Sequence, residues 1–135
     1  MAARAEAAAL LREAIDLFPP RHPSREGALT DLADTLLTRF VSQGPSELRA
    51  LREAIALYRE ALLLHPHGPW RLRVLINLAS ALRTLHESQW DLLSLEESVA
   101  LHREALQLCP PGHPSRDSSL NNLANACRAL HEADS

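Results

Sequence analysis

Leu51-Arg52-Glu53-Ala54-Ile55-Ala56-Leu57-Tyr58-Arg59-Glu60-Ala61-Leu62-Leu63-Leu64-His65-Pro66 is the stretch that decides the fold. Within it Ala54, Tyr58, Ala61 and Pro66 form a spaced set. The same offsets return upstream as Ala7, Leu11, Ala14 and Pro19, and downstream as Ser98, His102, Ala105 and Pro110. A second set interleaves with the first: Leu29, Leu32, Ala33 and Leu36, then Leu75, Leu78, Ala79 and Leu82, then Leu120, Leu123, Ala124 and Cys127. The first set repeats at spacings of 47 and 44 residues, the second at 46 and 45. A fixed period of this length marks a stacked array whose units bury their apolar faces on one another.

Between the breakers, apolar residues recur three and four apart, as in Leu48, Leu51, Ile55, Tyr58 and Leu62, or Leu75, Leu78, Leu82 and Leu85. Proline stops a helix yet suits its first turn, so 18–24, 65–69 and 109–115 read as helix-to-helix turns. Gly44 reads as a C-terminal cap, Ser46 as the next N-cap, and Asp91 as the N-cap after Glu87-Ser88-Gln89-Trp90. The expectation is six helices near 3–18, 24–42, 46–64, 70–87, 91–108 and 115–131. Ala33, Ala79 and Ala124 share one small-residue register and Ala14, Ala61 and Ala105 another, each allowing neighbouring helices to approach closely. The fold class expected is all-α, a right-handed α-solenoid of about six antiparallel helices.

Composition fits this. The 135 residues suit one short array, and 46% apolar with 23% charged residues permits a buried core. A net charge of -3 gives no reason to expect nucleic acid or a membrane surface as partner. No stretch approaches the roughly 18 apolar residues of a membrane span, and Met1-Ala2-Ala3-Arg4-Ala5-Glu6 lacks the apolar run of a signal peptide. Cys109 and Cys127 sit at a turn and several helical turns past it, too far apart to bridge. The expected compartment is reducing and intracellular, the cytoplasm.

These residues resemble the tetratricopeptide repeat. The spacing at Ala54, Tyr58, Ala61 and Pro66 is similar to that family's second-helix signature, and Leu75, Leu78 and Ala79 to its first-helix signature. The long period and Ser119-Leu120-Asn121-Asn122-Leu123-Ala124-Asn125 resemble the longer variant of kinesin light chains. Leu101-His102-Arg103-Glu104-Ala105-Leu106 with Pro110-Pro111-Gly112-His113-Pro114-Ser115-Arg116 is similar to repeats of large fungal proteins, where they accompany caspase-like (CHAT) or NTPase domains. Neither domain is in this sequence. In the phase the resemblance implies, 1–135 is a single array: a half repeat over 1–20, full repeats over about 24–66 and 70–110, and a half repeat over 114–135. Half repeats make the ends, through Ala7, Leu11, Leu120, Leu123 and Cys127, candidates for homo-oligomer contacts.

No chemistry for catalysis is evident. Equivalent residues of successive repeats, such as His86 and His131, would lie on the order of 10 Å apart. His22 and His113, which share a turn register two repeats apart, would lie further still, whereas one ion needs ligands at ~2 Å. His65 and His67 are the only close pair and lack Cys or carboxylate neighbours. Four glycines make no phosphate loop, and no Gly-x-Ser-x-Gly or Cys–His pairing exists. The chain is therefore expected to be no enzyme and to need no metal or cofactor.

The polar face of the first-type helices carries the most information. Asn77, Ser80 and Arg83 match Asn122, Asn125 and Arg128 in register, while Asp31 and Asp34 take the first two places one repeat earlier. The resemblance implies that such helices line a concave groove, where asparagines at Asn77 and Asn122 hydrogen-bond an extended peptide backbone. An amide suits that task with an acceptor and two donors, and Arg83 and Arg128 suit ligand carboxylates. A solvated helical face, or hydrogen bonds between repeats, explains the same residues without a ligand. The expected function is a non-catalytic module binding a protein or peptide. The alternative is a structural, self-assembling solenoid fragment, or a designed or excised scaffold.

Overall fold

A computed structural model of the chain describes residues 2–64 and 69–133. The expected breaker residues His65, Pro66, His67 and Gly68 lie outside the described residues. The described residues are helical, with no strand among them. Six α-helices follow one another: α1 (Ala2–Leu17), α2 (Pro23–Gln43), α3 (Leu48–Leu64), α4 (Pro69–Gln89), α5 (Leu92–Gln107) and α6 (Arg116–Ala133). The chain divides into two compact units, Met1–Val74 and Leu75–Ser135, with the division inside α4.

Local chemistry sets the helix ends. Pro23 occupies the first turn of α2, and the Ser24 amide donates to Nδ1 of His22, the N-cap, at 3.0 Å. His113 repeats the device before α6, accepting from the Ser115 amide at 3.0 Å. The arginine that follows each serine reaches back: Arg25 donates to the Ile15 carbonyl at 2.8 Å and Arg116 to the Cys109 carbonyl at 2.6 Å. Each His-Pro-Ser-Arg run thus satisfies backbone groups on both sides of a turn that helix ends otherwise leave unpaired. Asp91 caps α5 as expected, its carboxylate accepting from the Ser94 amide at 3.4 Å and the Ser94 hydroxyl at 3.0 Å. Ser46 does not cap α3. Pro45 follows the Gly44 cap directly and starts a 3-10 turn, Pro45–Glu47, that holds Ser46, whose hydroxyl donates to the Gln43 carbonyl.

In the N-terminal unit α1 packs on α2 and α2 on α3. Leu29, Leu32, Ala33 and Leu36 of α2 meet Leu51, Ala54, Tyr58 and Ala61 of α3, all at most 2% exposed. Burying each such leucine contributes about 1.5–3 kcal/mol. Arg12 of α1 forks onto Glu53 of α3, and this pairing holds the Glu53 carboxyl below its ordinary range. Arg25 pairs with Glu60 at 3.1 Å.

In the C-terminal unit Leu75, Leu78, Ala79 and Leu82 are buried with Leu95, Ser98 and Ala105 of α5. The Ser98 hydroxyl donates to the Ala79 carbonyl at 2.8 Å, so α4 and α5 approach closely at that alanine. Cys109 is fully buried, its Sγ 3.6 Å from Oγ of Ser119 on α6. Both cysteines are free thiols, and Arg103 donates to Sγ of Cys127 at 3.9 Å. The small-residue register holds at Ala33, Ala61, Ala79 and Ala105, each no more than 1% exposed. It fails at Ala124, which is exposed, while Ala126 is the buried alanine of α6. The reason is orientation: α6 turns Ser119 and Ala126 toward α5 and leaves Leu120 43% exposed.

No helix of the described residues is long and apolar enough to cross a membrane. If the alanine register sets helix spacing, Ala61→Phe overpacks α3 and destabilises the chain by about 1–3 kcal/mol. Urea unfolding followed by circular dichroism reads this; an unchanged midpoint would show that Ala61 has room to spare.

Candidate functional site

The two acidic candidates lie in the N-terminal unit and are tied into its structure. Asp34, half-buried on α2, accepts a hydrogen bond from the Tyr58 hydroxyl of α3 and pairs with Arg73. Arg73 also reaches exposed Asp31 at 3.8 Å, and its guanidinium lies 5.8 Å from the centre of the Trp70 ring. Burial, and then the Asp34 carboxylate, push the Tyr58 hydroxyl far above its ordinary pKa, so it remains a donor at any working pH. Asp31 and Trp70 border a hollow of ≈ 480 Å³ lined further by Leu11, Ala14, Phe18 and Gly27.

The remaining candidates belong to the C-terminal unit. Three-residue steps make Asn77, Ser80 and Arg83 successive neighbours that spread over about a third of the circumference of α4, and Asn122, Asn125 and Arg128 do the same on α6. Ser80 and Arg128 are exposed, and Asn77, Arg83, Asn122 and Asn125 half-buried. Arg83 pairs along its helix with Glu87 at 3.4 Å, and Arg128 donates to Oδ1 of Asn125 at 3.4 Å. Such pairs at the surface hold less than about 1 kcal/mol each and are easily exchanged for a ligand. Of the association candidates, Leu120 is exposed, and Ala7, Leu11, Leu123 and Cys127 are half-buried. The described residues contain no group of three His, Cys, Asp or Glu placed to hold a metal ion.

The structure adds residues that periodicity did not single out. Trp90 follows α4 with φ 55, the left-handed region, and its amide donates to the His86 carbonyl at 2.6 Å. Gly44 does the same after α2, with φ 82 and its amide 2.8 Å from the Phe40 carbonyl. A left-handed cap suits glycine, and a bulky residue there costs on the order of 1 kcal/mol. The Trp90 ring stacks on His86, centroids 4.9 Å apart, yet Trp90 remains 74% exposed. Beside it a cleft of ≈ 330 Å³ opens between the ends of α4 and α6, bordered by Arg83, His86, Glu87 and Trp90 on one side and Ala129, Glu132 and Ala133 on the other. One signal for it lay in plain sight: Ser42-Gln43-Gly44 and Ser88-Gln89-Trp90 both put Ser-Gln before a positive-φ residue, with tryptophan in the glycine's place.

His102 of α5 occupies the place that Tyr58 has in α3. It is 4% exposed, and its Nδ1 finds no hydrogen-bond partner among the described residues. Burial, helped by the positive charge of Arg83, lowers its pKa below the ordinary value of 6.5.

Two outcomes test these assignments. Asp34→Ala leaves the Tyr58 hydroxyl without its acceptor, an expected loss of about 1–3 kcal/mol that adding Tyr58→Phe partly restores. Equal stability of Asp34→Ala and wild type would free Asp34 for another role. For His102, the unfolded chain binds the proton more tightly than the folded one, so stability is full above the unfolded value and falls as pH drops from there toward the lowered folded value. Urea midpoints measured at about pH 7.5 and about pH 5.5 should therefore fall further in wild type than in His102→Leu, a residue that Leu11 supplies in the same register. Parallel pH profiles would dismiss His102 as the titrating group.

No family model, no curated protein and no solved structure matches the chain.

Proposed function

We propose that this chain is a tetratricopeptide-like helical array, an α-solenoid, and that it serves as a non-catalytic module binding an extended peptide. One observation carries the reading: α4 and α6 present Asn, then Ser or Asn, then Arg at identical spacing, all solvent-accessible. Amides repeated on two helices can pair with successive peptide groups, since each offers donors and an acceptor. The arginines pair at the surface with Glu87 and Asn125 and keep further donors for a carboxylate, since a guanidinium carries five. Asp31 and Asp34 contribute less, because Arg73 and Tyr58 already engage them. The binding face therefore belongs to the C-terminal unit, and the protein acts inside the cell on a protein partner.

A second reading is self-association, and the open face of α6 with exposed Leu120 and Ala124 favours it. Apolar positions left uncovered on a helix invite another chain.

The test is selection from a displayed random-peptide library, with light scattering on the same samples. Asn77→Ala with Asn122→Ala should weaken the selected peptides roughly tenfold, the sum of two modest hydrogen-bond losses, with helicity unchanged. Peptides bound equally well by the double variant would end the groove reading. A concentration-dependent rise in mass abolished by Leu120→Glu would favour self-association.

A further inference from the structure

We propose that the cleft at the ends of α4 and α6 is an arginine-binding site built around Trp90. Three observations meet there. The first is backbone conformation: two helices end on a residue of positive φ whose amide bonds the carbonyl four residues back, and where one uses Gly44 the other places a tryptophan, at φ 55. An outlier kept against its local preference points toward function. The second is exposure. His86 stacks with the indole, yet Trp90 stays 74% exposed, so the ring leaves most of its surface to a ligand. An aromatic ring so placed attracts a cation, and a planar guanidinium above all, because it can stack as well as charge-pair.

The third observation is polarity. Glu87 and Glu132 border the cleft from its two sides, against one cation, Arg83, which Glu87 already engages. The excess charge is negative, which favours a guanidinium over a carboxylate or phosphate ligand. His86, 5% exposed, adds a buried Nδ1 that has no hydrogen-bond partner among the described residues. At ≈ 330 Å³ the cleft lies at the small end of ligand pockets and suits one side chain rather than a larger molecule. The occupant is an arginine side chain of a partner protein, stacked on Trp90 and forked onto Glu132.

This site shares Arg83 with the proposed peptide face, but neither Asn77 nor Asn122, which would pair with the peptide backbone, borders the cleft. It is tested with a probe that has almost no peptide backbone: acetyl-arginine amide, titrated at low salt into a Trp70→Phe variant so that Trp90 is the sole indole. Its emission and its indole N–H resonance should shift in a saturable way. Acetyl-citrulline amide, the neutral isostere, and acetyl-glutamate amide should leave both unmoved. Glu132→Gln should weaken the arginine effect roughly threefold, as expected for a part-exposed ion pair. Because Trp90→Gly restores the residue that the backbone favours, it should melt no lower than wild type, and the Glu132 resonances that arginine shifts in wild type should stay still. Equal shifts from arginine and citrulline, or a Glu132 response that survives Trp90→Gly, would overturn the proposal.

Discussion

The distance of closest approach between consecutive helices governs everything else in this chain. Ala33 and Ala79 on the first-type helices, and Ala54, Ala61 and Ala105 on the second-type helices, are all at most 1% exposed. With only a methyl group between backbones, a hydroxyl on one helix can reach a carbonyl on the next, as Ser98 reaches Ala79 at 2.8 Å. Close approach then dictates where large residues go. Leu29, Leu32 and Leu36, like Leu75, Leu78 and Leu82, fill the space beside the alanines on the same face. Interiors pack at near-crystalline density, so these choices are coupled. The polar face of each helix is free to vary because nothing in this packing consults it.

Repetition makes the variations informative, because one backbone device appears with two sets of side chains. The His-Pro-Ser-Arg turn is the conservative case: His22 and His113 both cap through Nδ1, and Arg25 and Arg116 both reach back to a carbonyl. The Tyr58 position is the divergent one. Its hydroxyl finds Asp34, whereas His102 in the matching place is buried with an unpartnered Nδ1, and Ser80 stands where the aspartate would be. A buried polar atom without a partner costs more than an apolar group of the same size. Among the described residues, the C-terminal unit carries that cost at His86 and at His102.

Six helices and their caps were legible because period and punctuation are local. The expected spans and the observed ones differ by one or two residues, and Gly44 and Asp91 cap as read. Ser46 misled because a capping residue was weighed without the proline before it, which starts a turn one residue sooner. Ala124 misled for a different reason: register places a residue on a helix face, but only a packed neighbour makes that face interior. Side-chain partners were the least legible. The pairing of Asp34 with Tyr58 and Arg73 joins residues 24 and 39 apart, and no spacing rule foretells which of several nearby polar groups will meet. Trp90 was legible in principle, through the shared Ser-Gln before each cap, but only to a comparison that aligned the turns rather than the helices.

The two units therefore spend their polar groups differently. In the N-terminal unit, Arg12, Arg25 and Arg73 each hold a carboxylate on another helix, and Tyr58 is satisfied by Asp34. In the C-terminal unit, Arg83 and Arg128 reach along their own helices, to Glu87 and Asn125. That same unit accepts a left-handed tryptophan and two buried imidazoles with an unpartnered nitrogen. Local choices that agree with the fold need no further cause, whereas those that oppose it are expected where a protein does its work. The conflicts at Trp90, His86 and His102 all fall in the C-terminal unit, the unit that also carries the binding face proposed for Asn77, Asn122 and the two arginines.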